Sequence, residues 1–145
     1  MSIFVDTGVF YANQVENSPR HADATAALRS LLSGSHGRVY TSDYVFDETV
    51  TLTQSRTGRG DEARSVGRRI RGHGSHPDAV TMVFVDQESF ETAIDIHERY
   101  DDHSLSFTDA TTIALVQSYD INAVCSFDDD FDGIVQRIDP VQLTD

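Results

Sequence analysis

Short apolar runs rich in β-branched residues alternate with longer segments whose apolar residues recur at helical spacing, and this alternation leaves the chain few folds to choose from. Residues 2–5 read as a short buried strand and residues 7–14 as the helix that follows it. Pro19 opens a second helix, in which Ala24, Ala27, Leu28, Leu31 and Leu32 share a face and Gly34 ends the pattern. Residues 38–41 form a second strand, and two helices, 43–57 and 61–71, are separated by Gly58 and Gly60. The run 79–85 (AVTMVFV) is β-branched and apolar and reads as a central strand. Residues 88–100 repeat apolar positions at helical spacing, and 106–119 are apolar on nearly all sides, which predicts a buried helix. A strand at 122–126, a helical turn at 129–135 and an edge strand at 136–138 complete the pattern. Strands separated by helices mean βαβ units, hence an α/β fold with a mostly parallel central sheet of four to five strands flanked by helices. A chain of 145 residues without repeat, low-complexity tract or linker is expected to be one domain, 1–145.

Composition removes several functional classes. The longest apolar stretch is the interrupted run 79–85, far too short to span a bilayer. The start, MSIFVDTGVF, lacks a basic n-region, so a cytoplasmic protein without membrane attachment is expected. A single cysteine, Cys125, excludes an intrachain disulfide and any zinc cluster of several cysteines, and its place in a strand marks it as core filler. His97 falls on the apolar face of its helix and reads as a packed core histidine, whereas His73, His76 and His103 fall in loops facing solvent.

Charge is the unusual global property. Eighteen Asp and six Glu face eleven Arg and no Lys, a net of −13. Dense Asp without Lys is the pattern of salt-loving cytoplasms, where molar salt screens charges beyond about 3 Å. GC-rich codon bias also favours Arg over Lys. Within residues 56–76, six arginines oppose Asp61 and Glu62, so this segment is basic while the remainder is strongly acidic. On the helix 61–71, Ala63, Val66, Gly67 and Ile70 make a buried face, and Arg64, Arg68 and Arg71 form a stripe opposite it. The stripe suits the helix dipole; it also suits contact with RNA phosphates or an acidic protein segment.

Four acids fall where an open α/β sheet binds ligands, beyond the carboxyl ends of strands and at helix starts. Asp6 directly follows the first strand, Glu48 lies early in the helix after the second, and Asp128 follows the strand AVCSF. Asp109 lies in the first turn of the buried helix, on the face of Ile113 and Val116. With Val45 set at 0° and about 100° per residue, Glu48 falls near 300°, at the rim of the apolar arc, and Asp47 near 200°, facing water. Each acid has an ordinary alternative. Asp109 fits a capping box with Ser106, residues 128–132 fit a solvated acidic turn, and Glu48 could pair with an arginine. Taken together they point to a cation, because carboxylates about 5 Å apart repel by roughly 3 kcal/mol per pair at an effective dielectric near 20. Oxygen ligands without clustered His or Cys favour Mg²⁺ or Mn²⁺ over zinc. Such an ion polarises a phosphoryl oxygen and activates water for in-line attack, the chemistry of phosphodiester hydrolysis.

FVDTGVFYA, SDYVFDETVTL, LSFTDATTIAL and AVCSFDDDFDGI, in this order and spacing, resemble the four acidic motifs of PIN domains, most closely those of VapC-type toxins. The resemblance covers the chain from Ile3 to about Ile138. It implies a metal-dependent ribonuclease in which Asp6, Glu48, Asp109 and Asp128 are catalytic and hold Mg²⁺ or Mn²⁺, with Thr7 and Ser126 as supporting hydroxyls. Asp129 and Asp130 compete with Asp128 for the fourth place. It further implies an RNA substrate, a homodimer and a cognate antitoxin, although some members process RNA without one. A non-catalytic module of the same fold is a further alternative. Two other acid-site folds drop out: a haloacid-dehalogenase-like phosphatase needs Asp where Gly8 stands, and a receiver domain needs a lysine.

Overall fold

The first residues of the chain form the middle of the sheet. A computed structural model describes residues 1–143. Among these, five strands, β1 (Ser2–Val5), β2 (Arg38–Ser42), β3 (Val80–Val83), β4 (Ala123–Cys125) and β5 (Arg137–Ile138), pair in parallel in the order β3-β2-β1-β4-β5. Six helices, α1 (Thr7–Gln14), α2 (His21–Leu32), α3 (Asp43–Thr57), α4 (Gly60–Arg71), α5 (Gln87–Arg99) and α6 (Phe107–Ser118), pack around it. Register pairs Ile3 with Val39 on one side and with Ala123 on the other. Ile3, Phe4 and Val5 are fully buried, as the centre of a doubly covered sheet requires.

The chain steps outward from β1 to β2 and β3, then crosses back to place β4 on the far side of β1. Connections after β1 and β4 therefore leave in opposite directions and open a crevice at their carboxyl ends. Helices α3 and α6 are built to border that crevice. Ser42 caps α3 by accepting from the Val45 N–H (3.1 Å), and Gly58, at φ 68°, closes it in the left-handed conformation that a side chain would resist. Between these caps, Thr49, Thr53 and Thr57 each donate to the carbonyl four residues earlier (2.7, 2.8 and 2.6 Å), so buried hydroxyls cost little inside a helix. In α6, the side chains from Asp109 to Val116 are all buried, as its all-round apolar pattern predicts.

Three expectations are corrected. The apolar run 79–85 contains not a central strand but the edge strand β3, which pairs with β2 alone. Of its residues only Val83 is buried, Thr81 faces solvent, and Phe84 just beyond is 66% exposed. An apolar run looks the same whether two strands flank it or one, so composition could not place it. His97 is exposed rather than packed in the core, because α5 turns Ala93 and Ile96 inward and leaves His97 edge-on to Phe107, with ring centroids 5.9 Å apart. His103, expected in solvent, is half-buried against Tyr100 and contacts the Asp130 carbonyl at 3.3 Å. Cys125 is fully buried, and burial pushes its thiol up to about 12, as befits core filler. Among the described residues no helix is long and apolar enough to cross a membrane.

Candidate active site

A cavity of about 830 Å³ opens at the carboxyl ends of β1 and β4, and Asp6, Glu48, Asp109 and Asp128 all line it. They arrive from four separate segments. Asp6 is the last residue before α1, positioned by its N–H bonding to the Cys125 carbonyl (3.1 Å) across the sheet. Glu48 is half-buried on α3, and Asp47 beside it is exposed, as the helical phase predicts. Asp109 sits in the first turn of α6, and Asp128 follows β4. Thr7 and Ser126 line the same cavity.

One hydroxyl ties two of the acids together. Ser126 Oγ donates to Asp6 Oδ2 (2.8 Å) and accepts from the Asp128 N–H (2.9 Å). The other oxygen, Asp6 Oδ1, is buried with no hydrogen-bond partner, and so is Thr7 Oγ1. An unpaired buried carboxylate oxygen is expensive, and its proton affinity records the cost. Burial pushes Asp6 up to about 6, helped by the charges of Glu48 and Asp128 and opposed by the Ser126 hydroxyl and the Thr7 N–H. Burial and the Asp6 charge push Asp109 up to about 7, against its bonds to Ser106. Asp109 also makes the capping box: its Oδ2 accepts from the Ser106 N–H and Ser106 Oγ accepts from its own N–H, both at 3.0 Å. Capping and site geometry are thus combined in one residue, with one oxygen fixed in the helix cap.

The fourth position is a cluster. Asp128, Asp129 and Asp130 bring ligand atoms within 4.8 Å of one another, a spacing that suits a hard cation; Asp6, Glu48 and Asp109 are not part of that group. Asp128 and Asp129 line the cavity, whereas Asp130 is not among the lining residues. Asp130 instead donates its N–H to Asp128 Oδ1 (2.9 Å), fixing that carboxylate. The charge of Asp128 acts on both Asp6 and Asp109, which places it electrically in the same site.

The arginine stripe lies elsewhere. Arg64, Arg68 and Arg71 border a shallow groove between α3 and α4, floored by Phe46, Val50 and Ala63, and none of them lines the acid cavity. The arginines that do are Arg20 and Arg56. Arg20 stacks over Phe127 (4.7 Å to the ring centroid) and Arg56 over Tyr11 (5.3 Å). Arg56 had a legible signal, since Glu48, Leu52 and Arg56 fall at i, i+4 and i+8 on α3 and all three line the cavity. Nothing local in the sequence distinguishes Arg20.

The sequence model of the PIN domain matches residues 3–135. The chain belongs to the PIN-domain family. Within that family it is a nuclease of the VapC toxin type. It is similar to the 23S rRNA-specific endonuclease VapC20 of Mycobacterium tuberculosis, 30% identical over 129 residues that cover 89% of this chain and 91% of the relative. It is also similar to a VapC ribonuclease of Archaeoglobus fulgidus, 22% identical over 132 residues covering 90% and 80%. Among solved structures, the crystal structure of M. tuberculosis VapC20, described as a sarcin-ricin loop cleaving toxin, superposes with a TM-score of 0.77 at 29% identity, covering 92% of this chain and 97% of that one. FitAcB from Neisseria gonorrhoeae shares the fold, with a TM-score of 0.66 at 18% identity, covering 95% and 97%. The α/β architecture with five parallel strands is that of a PIN domain, as the motifs implied.

Proposed function

We propose that this PIN domain is the toxin of a type II toxin–antitoxin pair and hydrolyses RNA with Mg²⁺ or Mn²⁺ held by Asp6, Glu48, Asp109 and Asp128. The carrying observation is the convergence of four acids from four segments on one cavity in which Asp6 Oδ1 has no protein partner. That donor set is all oxygen and fits a hard divalent cation. When bound, the cation would supply Lewis acidity toward a phosphoryl oxygen. The protein supplies the rest. Ser126 fixes the Asp6 carboxylate, the Asp130 N–H fixes that of Asp128, and Asp109 is held by its own helix cap. Phe127 and Tyr11 hold the two arginines beside the acids by stacking. The RNA of the M. tuberculosis relative makes 23S rRNA the first substrate to test. Cleavage of labelled RNA in Mn²⁺ and its absence in EDTA test this reading.

Ser126→Ala removes the hydroxyl that joins Asp6 to the Asp128 backbone. Loss of such an outer partner is expected to cost about 10–100-fold in metal affinity or activity, read from Mn²⁺ titration of the cleavage rate. An unchanged titration would show that Asp6 is oriented without it. For the stripe, the apolar floor beneath Arg64, Arg68 and Arg71 supports a seat for an acidic antitoxin segment over a track for RNA. For the homodimer, the outer face of α5 is the region we propose, since Phe90 and Ile94 are 40% and 36% exposed there. Sedimentation equilibrium is expected to give twice the 16.1 kDa chain mass for wild type and the chain mass for Phe90→Glu with Ile94→Glu. A dimeric double variant would exclude this face.

A further inference from the structure

The loop that carries Asp128 is held at both ends by one side chain. It joins β4 to β5, and its residues Ser126, Phe127, Asp128 and Asp129 line the acid cavity. The sheet gives it little support. β5 is a two-residue edge strand that pairs Arg137 with Val124 and Ile138 with Cys125. The fully buried Phe131 anchors the middle of the loop, but around it Asp128, Asp129, Asp130 and Asp132 set like charges side by side. Arg137 is the only arginine beyond Arg99, and the chain has no lysine to take its place.

All three nitrogens of the Arg137 guanidinium donate to this loop. Nε and Nη2 reach the two oxygens of Asp132 at 2.8 and 3.2 Å, the two-point fork that arginine makes with a carboxylate. Nη1 reaches the Ser126 carbonyl at 3.0 Å. One rigid plane thus joins Ser126 to Asp132, with Asp128 between them. Both ends bear on the acids. The Ser126 hydroxyl donates to Asp6 Oδ2 and accepts from the Asp128 N–H, and the Asp132 N–H closes the turn on the Asp129 carbonyl at 3.0 Å. The Arg137 side chain is only 15% exposed, whereas that of Asp132 is 55% exposed. A pair so open to water on one side adds little to stability, so its effect here is geometric.

We propose that Arg137 is a positioning residue for the acid cavity: by bridging the Ser126 carbonyl and the Asp132 carboxylate it aims the Ser126 hydroxyl at Asp6 and holds Asp128 in place. The proposal rests on the reading of that cavity as a site for Mg²⁺ or Mn²⁺. Arg137 does not line the cavity, so it acts through Ser126 and the turn. The sign of its effect separates geometry from charge. As a nearby positive charge Arg137 repels a cation, and its removal would tighten metal binding. As a positioning residue it does the reverse, and its removal loosens metal binding.

The test reads Mn²⁺ affinity of the full chain from the paramagnetic resonance of free Mn²⁺, without RNA, in low salt and in molar KCl, which screens charges beyond about 3 Å. Arg137→Lys keeps the charge and loses the fork. It is expected to weaken Mn²⁺ binding about fivefold at both salt levels, less than the about 10–100-fold of a direct outer partner because it acts one bond further out. Arg137→Met is expected to weaken binding about tenfold, although it also removes the repelling charge. Arg59→Lys loosens a similar fork, to Asp61, outside the acid cavity and should leave affinity within twofold. In a Ser126→Ala background the cost of Arg137→Lys is expected to fall below about twofold, since the hydroxyl it acts through is gone. Melts in EDTA check that each variant is folded; if Arg137→Lys is not, the exposed Asp132→Asn decides, and it too is expected to weaken binding in molar KCl. Unchanged or tighter binding in the deciding variant, an equal loss in Arg59→Lys, or an undiminished loss in the Ser126→Ala background overturns the positioning role. Wild type that binds Mn²⁺ with no dependence on Arg137 sinks that role alone, and wild type that binds no Mn²⁺ sinks the metal reading with it.

Discussion

Asp6→Asn is expected to lower metal-dependent RNA cleavage by at least about 10³-fold while making the metal-free protein more stable. The first effect follows from charge. Removing one anionic ligand from a cation that stabilises developing phosphoryl charge forfeits about 4 kcal/mol, and each decade of rate corresponds to about 1.36 kcal/mol. The second follows from burial. Asp6 is pushed up to about 6, so near pH 7.5 its ionised form costs the folded protein on the order of 3 kcal/mol. Asparagine abolishes that cost and keeps an acceptor for Ser126, but sets an amide where Oδ1 has no partner, so the net gain is about 1–2 kcal/mol. Single-turnover cleavage in Mn²⁺ and thermal denaturation in EDTA measure the two effects. A variant that is inactive and also strongly destabilised would mean that the Asp6 carboxylate serves the fold rather than a cation.

The metal-free protein is expected to lose stability as pH rises from 5 to 8. Asp6 and Asp109 both have folded-state values, about 6 and about 7, above the ordinary 3.8. Below pH 4 each is protonated folded and unfolded, and neither affects stability. Between pH 4 and 7 the unfolded chain releases these protons first, so folding becomes progressively less favourable, and the cost is complete above pH 7. Asp61, Asp86 and Asp132 are held below the ordinary value, by Arg59, by Ser89 and by Arg137 respectively, so their stabilising effect is lost only in stronger acid, outside this window. A net loss of about 3 kcal/mol lowers the melting temperature by about 10 °C in a domain of this size. Mn²⁺ at about 100 times its dissociation constant restores about 2.7 kcal/mol and flattens the dependence. Calorimetry from pH 5 to 8 with EDTA and with Mn²⁺ checks both parts. A flat or rising curve in EDTA would show that the two carboxyls find donors in the folded state.

Much of this site was legible in the sequence because it depends on short-range order. Asp6 is adjacent to a strand, Glu48 differs from Asp47 by one helical step, and Asp109 shares a face with Ile113, so strand ends and helical phase were enough to bring these side chains to one cavity. The cap made by Asp109 was also visible in SFTD, and the capping residue lines the acid cavity as well. What the sequence could not supply was the pairing of distant segments. Nothing within 79–85 tells whether one strand or two lie beside it, and β3 lies at the edge. Nothing near Arg20 announces Phe127, more than a hundred residues away, on which it stacks. Charge density drew attention to Arg64, Arg68 and Arg71, yet the fold turns that stripe to another groove and brings Arg56 to the acids.

The most direct measurement is cleavage of labelled 23S rRNA by the purified chain, in Mg²⁺, Mn²⁺ or EDTA, at low and high salt, beside Asp109→Asn. Discrete cleavage by wild type with either ion, abolished by EDTA and by Asp109→Asn, is the predicted result. Cleavage that persists in EDTA, or a folded wild type inactive on RNA with both ions at every salt concentration, would contradict the assignment of the acid cavity as a metal-dependent nuclease site.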